Sequence, residues 1–293
     1  MKFTWLPDVE PRPRAVAVGT FDGMHLGHQE VIRGSDTVLT FEPHPLAVLH
    51  PEAMPKLLDT PAIRHDLIAE LGVQELVAIP FDHDFAKKPA ATFIDEVLVR
   101  ATMATQVSVG ENFRFGWRAG GDADLLRSYS EFETRVAPLV ELDGETVSSS
   151  RIRALIAAGE TAHAARLLGR PFLMEGEVAS GDRRGRELGI PTANLVPDDR
   201  HACPGHGVYA AWVTVEGMRH AAAVNVGVRP MFESGRGLLV EAHLIDFEGD
   251  LYGKTMRVAF LERLRGERRF DSVEALVEQM WADVDRARGI AAA

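Results

Sequence analysis

Ala15-Val-Ala-Val-Gly-Thr-Phe-Asp-Gly-Met-His-Leu-Gly-His28 is a short apolar run that breaks into a glycine-rich turn carrying two histidines. Four small or β-branched residues in succession read as a strand buried on both faces, which is the signature of a parallel sheet. The turn after such a strand, ahead of a helix, is where phosphate groups bind in α/β proteins, because backbone N–H groups at a helix start are unsatisfied and aim at the ligand. Two imidazoles among glycines can reach the phosphates of ATP and stabilise charge during an in-line transfer. A His-x-Gly-His pair taken alone is a weak motif, since a lone histidine is more often a satisfied structural residue.

The surrounding sequence repeats the alternation. Thr37-Val-Leu-Thr-Phe41, Glu75-Leu-Val-Ala-Ile79 and Gln106-Val-Ser-Val-Gly110 read as further buried strands. Helical patterns lie between them at Thr60–Leu71, with Pro61 at the first helical position and Gly72 as a stop, and at Ala91–Arg100. This order predicts an α/β sheet with ligands outside the carboxyl ends of its strands. The crossover from Thr20 to Asp36 is 17 residues long, above the roughly 12 needed for a parallel connection, so its helix has at most two turns.

Arg151 to Leu168 reads as helix with a break at Gly159, and Gly169-Arg-Pro171 ends it. Beyond that point short apolar runs broken by Gly, Pro and Asp continue to about residue 262, the pattern of an antiparallel barrel. A final amphipathic helix is expected from about Ser272 to Arg288, with Val273, Leu276, Val277 and Met280 on one face. Two domains follow, residues 1–169 and 170–293.

Composition narrows the function. The 293 residues are 46% apolar and 26% charged, ordinary for a soluble globular protein. A net charge of -11 disfavours nucleic acid, which needs a broad basic face, but not ATP, which needs only local positive charge and Mg2+. The single Cys203 excludes an intramolecular disulfide and any multi-cysteine metal site. No apolar run of about 18 residues occurs, and the start lacks a signal-peptide core, so no membrane partner is expected and the chain reads as cytoplasmic.

A second stretch carries chemistry. Gly181-Asp-Arg-Arg-Gly-Arg-Glu-Leu-Gly-Ile-Pro-Thr-Ala-Asn194 combines three glycines, three arginines and, two residues apart, the side-chain oxygens of Thr192 and Asn194. In an extended segment those two point to one side and can hold a hard cation beside a nucleotide. On these grounds the stretch is either a nucleotide loop or a polar surface turn.

The Gly-Asp-x-x-Gly-Arg-x-Leu-Gly-x-Pro-Thr-Ala-Asn pattern resembles the signature of the flavokinase family, which phosphorylates riboflavin. Its other landmarks follow in order: Gly207-Val-Tyr209, Asn225-Val-Gly-Val-Arg-Pro230, Glu241-Ala-His-Leu-Ile-Asp-Phe247, Asp250-Leu-Tyr-Gly253 and Leu264-Arg-x-Glu-x-x-Phe270. The first half resembles the nucleotidylyltransferase superfamily. With Thr40-Phe-Glu-Pro-His-Pro45, Val109-Gly-Glu-Asn-Phe-Arg-Phe-Gly116 and Val147-Ser-Ser-Ser-Arg-Ile-Arg153, it is similar to the FAD synthetase module of bacterial bifunctional flavin enzymes. The resemblance spans nearly the whole chain. It implies a Rossmann-like nucleotidylyltransferase domain, then a flavokinase β-barrel with a terminal helix. Riboflavin would be phosphorylated to FMN, and FMN adenylylated to FAD.

Residue roles follow from the same resemblance. Gly19, Phe21, Asp22, Gly23, His25, Gly27 and His28 would form the first ATP-phosphate loop, with His28 and Arg151 catalytic and Ser149 and Ser150 on phosphates. Asn112, Phe113 and Arg114 would line the nucleotide and flavin pocket. In the second half Gly181, Arg184, Gly185 and Arg186 would cradle phosphate, and Thr192 and Asn194 would hold Mg2+. Glu241 would be the base for the riboflavin 5′-hydroxyl, with Arg265, Glu267 and Phe270 on the flavin. Mg2+ with ATP is the implied cofactor, with no tightly bound prosthetic group; ATP, riboflavin and FMN are the implied partners, and a homo-oligomer is compatible with them.

Three departures stand out: the family's first helix is longer, Ile190 replaces a common aromatic, and Met231 replaces a usual threonine. The rival readings are a monofunctional riboflavin kinase whose first domain only binds nucleotide or flavin, and a non-catalytic flavin sensor.

Overall fold

Val16, Ala17 and Val18 are almost wholly shielded from solvent, as a strand flanked on both faces requires. The computed structural model describes residues 1–179, 189–228 and 238–292. These form two compact units, one of residues 1–55 and 61–148, the other of residues 56–60 and 149–293.

In the first unit six strands run parallel: β1 (Lys2–Trp5), β2 (Arg14–Val18), β3 (Thr37–Glu42), β4 (Glu75–Pro80), β5 (Ala104–Gly110) and β6 (Glu133–Ala137), in the order β1-β4-β3-β2-β5-β6. The chain moves from β2 through β3 to β4, then returns to the other side of β2 to lay down β5 and β6. The strand order therefore reverses between β2 and β5, and the carboxyl ends of those two strands flank the point where open α/β sheets bind ligands. A small hairpin, β7 (Glu141–Leu142) and β8 (Glu145–Thr146), follows.

The helices of this unit are α1 (Leu26–Ile32), α2 (Pro45–Leu49), α3 (Pro61–Glu70), α4 (His83–Ala86), α5 (Ala90–Phe93, continued as a π-helix over Ile94–Ala101) and α6 (Ala123–Arg127). As the crossover length predicts, α1 has seven residues. Its last carbonyls, which a helix leaves without partners, are taken up by side chains of the sheet. Ser108 Oγ donates to the Val31 carbonyl at 2.6 Å, and Arg135 Nη1 donates to the carbonyls of Glu30 at 2.8 Å and Arg33 at 3.2 Å. A cation at this end also suits the helix dipole. The short helix is thus fastened at its carboxyl end.

At the amino edge of the sheet Arg14, only 1% exposed, meets the carboxylate of Glu75 through Nε at 3.1 Å and Nη2 at 3.0 Å, and Thr4 Oγ1 donates to the same group at 2.9 Å.

The second unit contains α7 (Ser149–Ala158) and α8 (Thr161–Leu168), separated at Gly159 as expected, and a closed barrel. Its strands are β9 (Phe172–Ala179), β10 (Ala193–Val196), β11 (Gly207–Val215), β12 (Met218–Val228), β13 (Leu238–Leu244) and β14 (Thr255–Arg265). They pair antiparallel in the order β10-β13-β12-β11-β14-β9, and β9 closes the ring onto β10. Val224, Val226, Val240, Ala242, Val258 and Phe260 are fully buried.

The terminal helix α9 (Val273–Ala292) starts where expected, with Ser272 Oγ accepting the Ala275 N–H at 3.2 Å. Its buried face differs from expectation: Val273 is 58% exposed, and Asp283, Val284, Ala287 and Ala291 are covered instead. Val284 and Ala287 pack with Val208, Ala210 and Leu264 of the barrel. Small alanines let the helix lie close to the sheet, which fixes the contact in its second half.

Residues 56–60 join the barrel unit over a long stretch of sequence. The Leu57 N–H donates to the Arg200 carbonyl at 2.9 Å and the Ala202 N–H to the Leu57 carbonyl at 2.7 Å. Leu58 and Asp59 are buried, and Arg170 Nη2 donates to Asp59 at 3.0 Å. Among the described residues no helix is long and apolar enough to cross a membrane.

Candidate active sites

In the first unit, the loop after β2 sits at the strand-order reversal. The Gly19 N–H donates to the Leu39 carbonyl of β3 at 3.1 Å, which holds the loop's first residue to the neighbouring strand. Phe21 and Met24 adopt φ of 51° and 41°, a region that costs non-glycine residues of order 1 kcal/mol or more. Both side chains are buried, and so are Asp22 and His25. Such a constrained loop is a preorganised one.

His25 caps α1: its Nδ1 accepts the His28 N–H at 3.2 Å, so in a neutral ring the proton lies on Nε2. The two imidazoles stack with centroids 3.6 Å apart and planes 18° apart, and the Phe21 ring meets His28 edge-on at 5.5 Å. A side chain at Gly27 would press on the His25 ring at 3.2 Å, so glycine allows the stacking. The arrangement brings together Gly19, Phe21, Asp22, Gly23, His25, Gly27 and His28 in one turn.

Asn112, Phe113 and Arg114 follow β5 at the same edge of the sheet. Asn112 and Arg114 are exposed, and half-buried Phe113 stacks on Phe115 with centroids 5.4 Å apart. Phe115 itself is a core residue. Ser149, Ser150 and Arg151 make the first turn of α7 and belong to the second unit.

In the second unit the chemistry-bearing residues gather on three neighbouring strands. Asn194 of β10 is directly opposite Glu241 of β13, and Glu241 is directly opposite Asn225 of β12. Thr192, Asn194, Asn225 and Glu241 are half-buried, whereas the alternating Ala193, Leu195, Val224, Val226, Val240 and Ala242 are buried. Alternation along each strand therefore puts Asn194, Asn225 and Glu241 on the face away from the barrel interior, and Thr192 immediately precedes β10. Thr192 and Asn194 carry side-chain oxygens two residues apart, the hard donors that suit a divalent cation.

His243, two residues beyond Glu241, lies with Nδ1 2.8 Å from the Pro191 carbonyl and so ties the stretch before Thr192 to β13. Neither Asn225 nor His243 stands out in the sequence by residue type alone. The alternation of the Asn225 and Glu241 landmarks could have revealed both.

Arg265 and Phe270 do meet, with the guanidinium 5.7 Å from the ring centroid. Arg265 Nε also donates to Asp283 of α9 at 2.9 Å, and Asp283 is almost completely buried. Glu267 is exposed, and its Oε1 lies 3.0 Å from where a Cβ on Gly227 would stand. Ile190 is buried. Burial pushes the Cys203 thiol up to about 12, which keeps it protonated and unreactive. Gly181, Arg184, Gly185, Arg186 and Met231 lie outside the described residues.

A family model described as FAD synthetase matches residues 8–151, and one described as riboflavin kinase matches residues 168–291. The bifunctional riboflavin kinase/FMN adenylyltransferase of Pseudomonas fluorescens is 37% identical over 296 residues, covering 97% of this chain and 94% of that protein. The enzyme of the same description from Escherichia coli K12 is 35% identical over 288 residues, covering 93% and 91%. A crystal structure described as a macrolide-efflux protein from Streptococcus pneumoniae superposes with a TM-score of 0.87 at 34% identity, covering 97% of this chain and 96% of that one.

Proposed function

The chain belongs to the bifunctional riboflavin kinase/FMN adenylyltransferase family and carries both activities, and we propose that each reaction runs at one of the two side-chain clusters described above. The functional division is placed at residue 169, with adenylyl transfer in 1–169 and riboflavin phosphorylation in 170–293.

For the kinase, Glu241 takes the proton of the riboflavin 5′-hydroxyl as that oxygen attacks the γ-phosphorus of ATP, and ADP leaves. The observation that carries this assignment is the placement of Glu241 between Asn194 and Asn225 on one face of the barrel. Thr192 and Asn194 would hold a divalent cation, read here as Mg2+, which when bound neutralises charge on the ATP phosphates. Glu267, Arg265 and Phe270 are read as flavin contacts, with Arg265 held in place by Asp283.

For adenylyl transfer, a phosphate oxygen of FMN attacks the α-phosphorus of ATP and pyrophosphate departs. His28 stabilises the charge that develops there, and stacked His25 fixes its ring. Asn112, Phe113 and Arg114, at the end of the adjacent strand, are read as lining the nucleotide and flavin pocket.

The substrates are small molecules. The net charge of -11 supports neither a nucleic-acid partner nor an acidic membrane surface, and the protein is read as cytoplasmic. Incubation with riboflavin, ATP and Mg2+, followed by chromatographic separation of flavins, tests the reading. FMN and FAD are both expected; FMN alone, even with excess FMN supplied, would make the protein a monofunctional kinase.

A further inference from the structure

Helix α3 buries Ile63, Leu67 and Ile68, and Arg64 is buried with them at 6% exposure. An arginine among buried apolar residues loses hydration that an apolar side chain would not need, so its partners matter. Arg64 Nη1 donates to the Thr20 carbonyl at 3.1 Å, and Nη2 lies 3.5 Å from Glu42 Oε2 at the carboxyl end of β3. Thr40 Oγ1 adds a second donor to the same carbonyl at 3.4 Å.

Thr20 stands between Gly19 and Phe21 in the loop after β2. A peptide plane is rigid and trans, so its C=O and the following N–H point opposite ways. Drawing the Thr20 carbonyl toward α3 and β3 therefore turns the Phe21 N–H away from them. It also keeps the negative end of that peptide dipole directed at a guanidinium.

We propose that Arg64 is a positioning residue for adenylyl transfer, holding the Thr20 carbonyl so that the Phe21 N–H faces the nucleotide phosphates. The proposal rests on the reading of Gly19–His28 as the phosphate loop. Arg64 touches no reacting atom; it fixes the peptide that does the binding.

The test uses the full-length protein and compares Arg64→Met, Arg64→Lys and His28→Ala. Arg64→Met keeps the apolar stem and removes the donors. It is expected to lower kcat for FAD formation from FMN by about 30-fold or more, on the scale of one lost preorganised donor, with KM for ATP changed by less than about threefold. Arg64→Lys retains a charge and a donor for Thr20 and should recover most of the loss, which a packing role would not predict. Riboflavin phosphorylation in the same preparations reports folding.

If His28→Ala abolishes FAD formation while Arg64→Met keeps kcat within about threefold, Arg64 has no positioning role and the loop assignment stands. If neither variant affects it, the loop assignment itself fails and the proposal with it. Should Arg64→Met not fold, the double variant Arg64→Lys, Thr40→Val decides. It weakens both donors to the carbonyl while keeping charge and strand shape, and a loss of about tenfold in kcat at wild-type Tm is expected. A wild-type kcat in the double variant overturns the proposal.

Discussion

Asn194 stands directly opposite Glu241 in the antiparallel pairing of β10 with β13, so a candidate metal ligand and a candidate base are cross-strand neighbours on one face. Directly opposed residues in such a pair have their Cβ atoms about 4.5–5.5 Å apart. Candidate ligand and candidate base are thereby tied to the same rigid sheet rather than to separate loops, and changes at either residue should act on kcat more than on folding.

Replacing Glu241 by Gln keeps size and hydrogen bonding but removes the basic oxygen. Riboflavin phosphorylation should fall about 10²–10⁴-fold in kcat with nearly unchanged ATP binding. Steady-state kinetics on the purified variant check this, and near wild-type FMN formation would refute the base assignment.

Thr192→Val keeps the β-branched shape and removes the hydroxyl. Kinase turnover should be lost, or survive only at raised divalent-cation concentration. A titration of activity against Mg2+ that matches wild type would reduce Thr192 to a packing residue.

His28→Ala removes the ring stacked on His25. FAD formation from FMN is expected to fall by about 10²-fold or more. Phosphorylation of riboflavin should remain within about twofold, because the variant leaves Thr192, Asn194 and Glu241 untouched. Parallel assays of the two reactions on one preparation give the answer.

Glu75 offers a pH test of stability. Burial alone would raise its pKa, but the hydrogen bonds from Thr4 and Arg14, the Arg14 charge and the Arg12 contact outweigh it and hold the carboxyl below its ordinary range. A depressed folded pKa means the contribution is fully present above the unfolded glutamate value of about 4.3 and is lost as pH falls through the lower folded value. Glu75→Gln leaves Arg14 buried without its counter-charge and should cost about 3–5 kcal/mol near neutrality. Denaturant unfolding of both proteins should show that gap closing below about pH 4; a gap independent of pH would mean the pair contributes through shape alone.

Much of this architecture is legible in the chain. The strands β2, β3, β4 and β5 announce themselves as unbroken apolar runs because both of their faces are covered. The edge strands β1 and β6 carry exposed Phe3 and Trp5 in one case and Glu133, Thr134 and Arg135 in the other, so no apolar run marks them. The first loop is readable because it follows a buried strand at the turn into a helix, where phosphate groups bind. Arg64 is not, since a charged residue in an amphipathic helix reads as solvent-facing until its acceptor, Thr20, is known from 44 residues away. The buried face of α9 escapes for a related reason: Ala287 and Ala291 matter for closeness rather than for hydrophobicity, and a buried carboxylate at Asp283 looks polar until Arg265 is found beside it.

The Lys56–Thr60 segment has a consequence for the order in which the protein can be made. Its hydrogen-bonding partners Arg200 and Ala202 lie more than a hundred residues further along the chain and are therefore synthesised later. Domains tend to fold in turn from the N-terminus during synthesis. Leu58 and Asp59 are therefore left uncovered until the barrel sequence emerges. During that interval a leucine that ends up buried and a carboxylate that ends up held by Arg170 are both open to solvent.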